Sequence, residues 1–208
     1  MLTASGHRSL LQRIARKSML DKGFIIEFPL SALTRINKIA DVSVPVPAGT
    51  RDQRSLLWCS IDNDDSEDLD QLTVAMDLPS GEVKILIAIA DVDSLVDKNS
   101  DLEEHARANT TSVYTSAQIF PMLPEKLSTD LTSLRFAKDR LALVVEFVVA
   151  EDGSVKNQDV YRSVVQNKAK LAYHSTSAWL EGTGSTPKEI DSVNGAKGLF
   201  SRLFNRFS

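Results

Sequence analysis

The sequence predicts an α+β fold: a mixed, largely antiparallel sheet with surrounding helices. Apolar runs of strand length recur between residues 56 and 165. Two of the junctions between them, Pro79-Ser80-Gly81-Glu82 and Glu151-Asp152-Gly153-Ser154, have the composition of tight reversals and so point to antiparallel neighbours. Helical periodicity falls in Ser9–Lys22, Ser100–Ala108, Asn167–Leu180 and residues 196–208, outside those runs.

Taken in order, Ser9–Lys22 places Leu10, Leu11, Ile14, Ala15 and Met19 near one helical face, with Arg13, Arg16 and Lys17 mostly elsewhere. This is a basic amphipathic helix, read as docked with its charged face in solvent. The stretch from Ala40 to Gly49 carries Pro45 and Pro47, which each remove a donor, so it is a boundary or an extended edge. Leu56–Ile61 reads as a buried strand. Leu72–Leu78 and Val83–Val92 form a hairpin, and the second is apolar at nearly every position after Lys84, as a central strand covered on both faces would be. Ser100 or Asp101 caps the next helix, with Asp101, Glu103 and Glu104 in the first turn where the helix dipole favours them. Arg140–Val149 and Val155–Val165 are expected to pair, Asn167–Leu180 to form a helix, and Glu181–Pro187 to be a loop. Residues 196–208 place Leu199, Phe200, Leu203, Phe204 and Phe207 on one helical face beside Lys197, Arg202 and Arg206. Packing on the domain or on a partner is the expectation for this tail, in preference to a membrane surface.

Composition narrows the function classes. With 208 residues, 42% hydrophobic and 25% charged, the chain is an ordinary globular one, large enough to bury roughly two-thirds of its unfolded surface. Cys59 is the sole cysteine, which excludes a disulfide framework and a thiolate zinc site and makes the cytoplasm the expected compartment. The longest apolar run, Ile85–Ala90, is too short to span a membrane, and no membrane partner is expected. A net charge of -4 exerts no global attraction on nucleic acid, so any such partner is held locally or through metal ions.

The chemistry is concentrated in Asp62-Asn63-Asp64-Asp65-Ser66-Glu67-Asp68-Leu69-Asp70, where six of nine residues are carboxylates. Like charges gathered in a fold raise one another's pKa and oppose compaction, whereas a hard divalent ion turns them into ligands. Apolar strands enter and leave this segment, so it sits at the edge of a core. An EF-hand reading fits Asp62, Asp64 and Ser66 but fails at Glu67, where the turn needs Gly, and at Thr73, where a bidentate Glu is required. Phosphate loops, serine elbows and His-Glu-x-x-His are absent from the sequence, and His7, His105 and His174 are too scattered to form a ligand set.

Ser60-Ile61-Asp62 followed by Ser66-Glu67-Asp68-Leu69-Asp70 resembles the metal-binding signature of the ribonuclease II and ribonuclease R exonucleases, in their RNB catalytic domain. Ile87–Val92, Thr111–Tyr114, Phe120–Pro124, Leu127–Leu134 and Asp139–Leu141 resemble further family segments in the same order. The resemblance covers roughly Arg51 to Gly182, which divides the chain into an N-terminal helix and linker (1–50), the N-terminal portion of an RNB-type domain (51–182), and a loop with the cationic tail (183–208).

This resemblance implies hydrolysis of single-stranded RNA from its 3′ end to nucleoside 5′-monophosphates, with Mg²⁺ as cofactor and Mn²⁺ as the alternative. Asp62, Asp68 and Asp70 would hold the ions, Asp70 lying nearest the chemistry, and Tyr114 would stack on a base near the 3′ end. Gln71 stands where the family has a fourth Asp; its amide oxygen can coordinate but adds no charge, so one metal is expected to bind more weakly. The family domain also extends further and there supplies an arginine to the scissile phosphate. Weak or no turnover is therefore expected unless a second chain provides that segment. The alternatives are a non-catalytic RNA-binding or assembly module that keeps the metal site, and a purely structural metal domain.

Overall fold

The computed structural model describes residues 4–39 and 46–191. In chain order its regular elements are α1 (Ala4–Asp21), α2 (Leu30–Asn37), β1 (Arg51–Asp52), β2 (Cys59–Asp62), β3 (Gln71–Asp77), β4 (Val83–Ala90), α3 (Asp101–Asn109), β5 (Val113–Tyr114), β6 (Ile119–Phe120), β7 (Asp139–Val149), β8 (Val155–Gln166), β9 (Ala169–Ala172), α4 (Tyr173–Leu180) and α5 (Lys188–Asp191). The cationic tail and residues 40–45 of the Pro-containing stretch lie outside the described residues. The elements form two compact units, one from residues 4–39 and 92–128, the other from 46–91 and 129–191.

In the first unit, α1 begins at Ala4, five residues before its apolar periodicity does. The short helix α2 was not expected; it follows Pro29, whose φ of -56° suits entry into a helix, and it buries Ala32 and Ile36. Ser100 caps α3 by accepting a hydrogen bond from the Glu103 N–H at 3.3 Å. Buried Asn109 accepts from the Ile25 N–H at 2.9 Å and donates to the Ile25 carbonyl at 2.8 Å, fixing that segment to α3. His105 is a core histidine, its ring centroid 4.4 Å from that of Phe28, and burial holds its pKa below the usual value.

The second unit is built on a seven-stranded sheet in the order β1-β8-β7-β4-β3-β2-β9. β1 joins β8 and β9 joins β2 in parallel; the remaining neighbours are antiparallel, in keeping with the expected mixed sheet. The β3–β4 reversal closes with Gly81 at φ +83°, a conformation that suits glycine, and its N–H donates to the Leu78 carbonyl at 3.0 Å. One face of the sheet carries Leu72, Val74, Leu86, Ala88, Ala142, Val144 and Val165, packed with Trp58, Leu69 and Leu134. Trp58 is fully buried, with its indole N–H donating to the Gln53 carbonyl at 2.9 Å.

Two expectations need correction. β4 is central in the sheet, but it is not covered on both faces along its length, since Ile89 is 40% and its partner Leu143 41% exposed. Nor is 167–180 one helix. Ala169–Ala172 pairs in parallel with Cys59–Asp62, and only Tyr173–Leu180 is helical. Lys168 donates its N–H to the Trp58 carbonyl at 2.8 Å, and the Asn167 side chain accepts from the Ala169 N–H at 3.0 Å, so the chain is extended before a helix can start.

At the other end of the sheet Arg54 bridges Asp52 at 2.6 Å and Asp139 at 2.8 Å. Its guanidinium pulls the Asp52 carboxyl down to about 2 and also lowers that of Asp139. A carboxylate depressed in the folded state stabilises above its unfolded pKa and loses that contribution as pH falls through the folded value. Thermal melts from pH 5 to pH 2 should therefore show Arg54→Met less stable than wild type above about pH 4, with the two curves converging near pH 2. Parallel curves across that window would count against the bridge.

Candidate metal centre on the acidic loop

β2 delivers the acidic loop and β3 receives it. Cys59 is level with Thr73 across this pair, and side chains alternate along each strand, so Ser60 and Asp62 share the face of Leu72. The Ala90 N–H donates to the Asp70 carbonyl at 2.9 Å, which extends the β3 ladder one residue back and sets Asp70 on that face as well. Gln71 is level with Ile89 and falls on the opposite face, apart from Asp62 and Asp70. Asp68 and Asp70 are exposed, Leu69 between them is buried, and Asp62 is half-buried.

The electrostatics link these carboxylates. Burial raises the Asp62 pKa, and the charges of Asp70 and then Asp68 raise it further, while Lys170 opposes them. This all-oxygen, mutually repelling donor set has the chemistry of a hard-cation site. It is not drawn into a closed cage: among the described residues, no group of three or more His, Cys, Asp or Glu side chains is gathered as a metal site. The three aspartates are electrostatic neighbours on an open loop.

Distant segments hold that loop in place. The Ser133 hydroxyl donates to the Glu67 carbonyl at 2.6 Å and accepts from the Leu69 N–H at 3.1 Å, and the Leu134 N–H donates to the Leu69 carbonyl at 2.7 Å. Ser133 is itself held by Arg140, a buried guanidinium that donates to the carbonyls of Ser133 at 3.1 Å and Asp130 at 3.0 Å. Asn167 donates to the Ser60 hydroxyl and to the Leu134 carbonyl, both at 3.0 Å. From β9, the Lys170 ammonium donates to the carbonyls of Ser66 at 2.7 Å and Asp64 at 3.2 Å. Sequence reasoning missed these roles, although Ser133 and Arg140 lie within two of the segments that carried the family resemblance.

The remaining site residue expected from the sequence, Tyr114, lies in the first unit. It is 66% exposed on the short β5–β6 hairpin, level with Ile119. Asp91, in the segment after β4, is buried and receives the Arg162 Nε at 2.8 Å.

Replacing Ser133 by Ala would leave the buried Leu69 N–H without its acceptor. The expected cost is about 1–3 kcal/mol of unfolding free energy, read by urea denaturation, and a change below about 0.5 kcal/mol would contradict the clamp.

Comparisons with known proteins agree with this architecture. The RNB domain model matches residues 50–206. Ribonuclease R of Thermotoga maritima is 36% identical over 160 residues, covering 76% of this chain and 22% of that protein. Exoribonuclease 2 of Escherichia fergusonii is 32% identical over 157 residues, covering 75% of this chain and 24% of that protein. Among solved structures, Mycoplasma genitalium RNase R in complex with ribose-methylated single-stranded RNA has a TM-score of 0.75 at 27% identity, over 90% of this chain and 30% of that one. This chain thus spans less than a quarter of the length of these two curated relatives. The matched span includes both the acidic loop and the sheet that presents it, and the chain belongs to the RNB-domain family.

Proposed function

We propose that the chain carries the metal-binding part of a hydrolytic exoribonuclease domain that shortens single-stranded RNA from its 3′ end and releases nucleoside 5′-monophosphates. The observation that carries this reading is the placement of Asp62 and Asp70 on one sheet face, with Asp68 close enough for its charge to help raise the Asp62 pKa. The relatives named ribonuclease R and exoribonuclease 2, together with an RNase R solved with single-stranded RNA, supply the substrate class.

Asp62, Asp68 and Asp70 would hold Mg²⁺, or Mn²⁺ as the alternative, which when bound offsets their repulsion and supplies Lewis acidity to water and phosphate. Asp70 is the residue assigned nearest the reaction. Gln71, on the other face, is at most an outer ligand in this reading. The exposed Tyr114 ring offers a stacking surface for a base near the 3′ end.

A second reading, an RNA-binding module without turnover, is favoured by the open arrangement of the carboxylates. Incubating the purified chain with 5′-labelled single-stranded RNA and Mg²⁺ separates the two. Stepwise 3′ shortening with mononucleotide release, slowed at least about 100-fold in Asp70→Asn, is the expected result. The rate is expected to be low for the chain alone and to rise if a second polypeptide supplies the family's phosphate-contacting segment. RNA retention without cleavage would favour the module, and neither activity would overturn both readings.

A further inference from the structure

The acidic loop is fixed at its far end by the buried Ser133 contacts, but residues 63–66 have, among the described residues, no such anchor in their own neighbourhood. They are exposed apart from half-buried Ser66, and their local backbone bond is a 3.2 Å turn contact from the Ser66 N–H to the Asn63 carbonyl. Four carboxylates flank or occupy this half of the loop, at Asp62, Asp64, Asp65 and Glu67, and their repulsion favours an open, varied conformation. What opposes that spread comes from β9. Lys170 is level with Ser60 in the parallel pair and so lies on the face of Asp62, and its ammonium reaches two points of the loop backbone through the Ser66 and Asp64 carbonyls.

The choice of acceptors is informative. An ammonium that neutralised a carboxylate directly would compete with a cation for the same oxygens. Lys170 instead donates to main-chain carbonyls, which leaves the carboxylate oxygens of the loop to other partners while fixing the backbone that carries them. Lysine suits such a tether, since its three donors radiate from one point on a flexible stem and can serve two carbonyls at once.

We propose that Lys170 is a positioning residue: it tethers residues 64–66 to β9 and thereby holds the start of the acidic loop in register with the segment clamped by Ser133. The tether itself stands on the hydrogen bonds alone; its effect on turnover rests on the function proposed above. Groups that orient a metal site from behind commonly change affinity or activity 10- to 100-fold when removed, about the size expected here.

Backbone order parameters in metal-free protein test the tether directly. Wild type should give values near about 0.85 at residues 64–66, falling below about 0.6 in Lys170→Met, while β3 and β4 stay unchanged and Lys170→Arg restores order. If Lys170→Met does not fold, Lys170→Gln, which keeps a donor but no charge, takes its place with the same expectation. Unchanged order at 64–66 in the folded variant, or no recovery with Arg, would overturn the proposal. RNA turnover measured on the same proteins is expected to fall about 10- to 100-fold in kcat with KM little changed, and to recover with Arg. Should wild type show no turnover even with the family's phosphate-contacting segment supplied by a second polypeptide, the proposed function fails, while the order parameters still decide the tether.

Discussion

A single buried hydroxyl governs the geometry on which the site depends. Ser133 takes the Glu67 carbonyl and the Leu69 N–H into one pair of hydrogen bonds, and Leu134 adds a third to the Leu69 carbonyl. Between and beside these anchored groups stand Asp68 and Asp70, whose charges oppose ionisation of Asp62. Burying Leu69 in the main core secures the same point from the apolar side. The loop is thus pinned at its backbone while its carboxylates stay exposed, an arrangement that presents charge without having to bury it.

The sheet explains how such remote groups meet. Lys170 reaches loop carbonyls 104 and 106 residues away in sequence, and Ser133 reaches across 64 and 66. Both arrive because β9 returns to the free edge of β2 in parallel and because the 130–134 segment is braced by Arg140 and Asn167. Such contacts form only after long loops close, so order in the acidic loop comes with completion of the whole second unit and not from local sequence. Arg140 and Asn167 act as internal fasteners: Arg140 satisfies the Ser133 and Asp130 carbonyls of the irregular connection and Asn167 that of Leu134.

The same distinction between local and remote causes accounts for what could be read in advance. β3, β4, β7 and β8 were legible within a residue or two, because unbroken apolar runs and turn residues are local signals; so was the Ser100 cap of α3. The Ala169-Lys170-Leu171-Ala172 segment suits a helix equally well and is a strand only because β2 offers an unpaired edge. β1, two residues long, exists for the same reason beside β8. In the candidate site, the density of carboxylates marked the loop, the family resemblance assigned Asp62, Asp68 and Asp70 within it, and strand parity places Gln71 on the face opposite Asp62 and Asp70. Lys170 and Asn167 carry no signature of their own, and Ser133 and Arg140 only their place in the resembling segments; all four act largely on main-chain carbonyls.

In the proposed function these aspartates act together on a hard cation. Titration of Mn²⁺ into the protein, followed by loss of the free-ion electron paramagnetic resonance signal, tests it most directly. Saturable binding that is abolished when Asp62, Asp68 and Asp70 are all changed to Asn is the predicted result. Equal binding by wild type and the triple variant, or none by wild type, would contradict it.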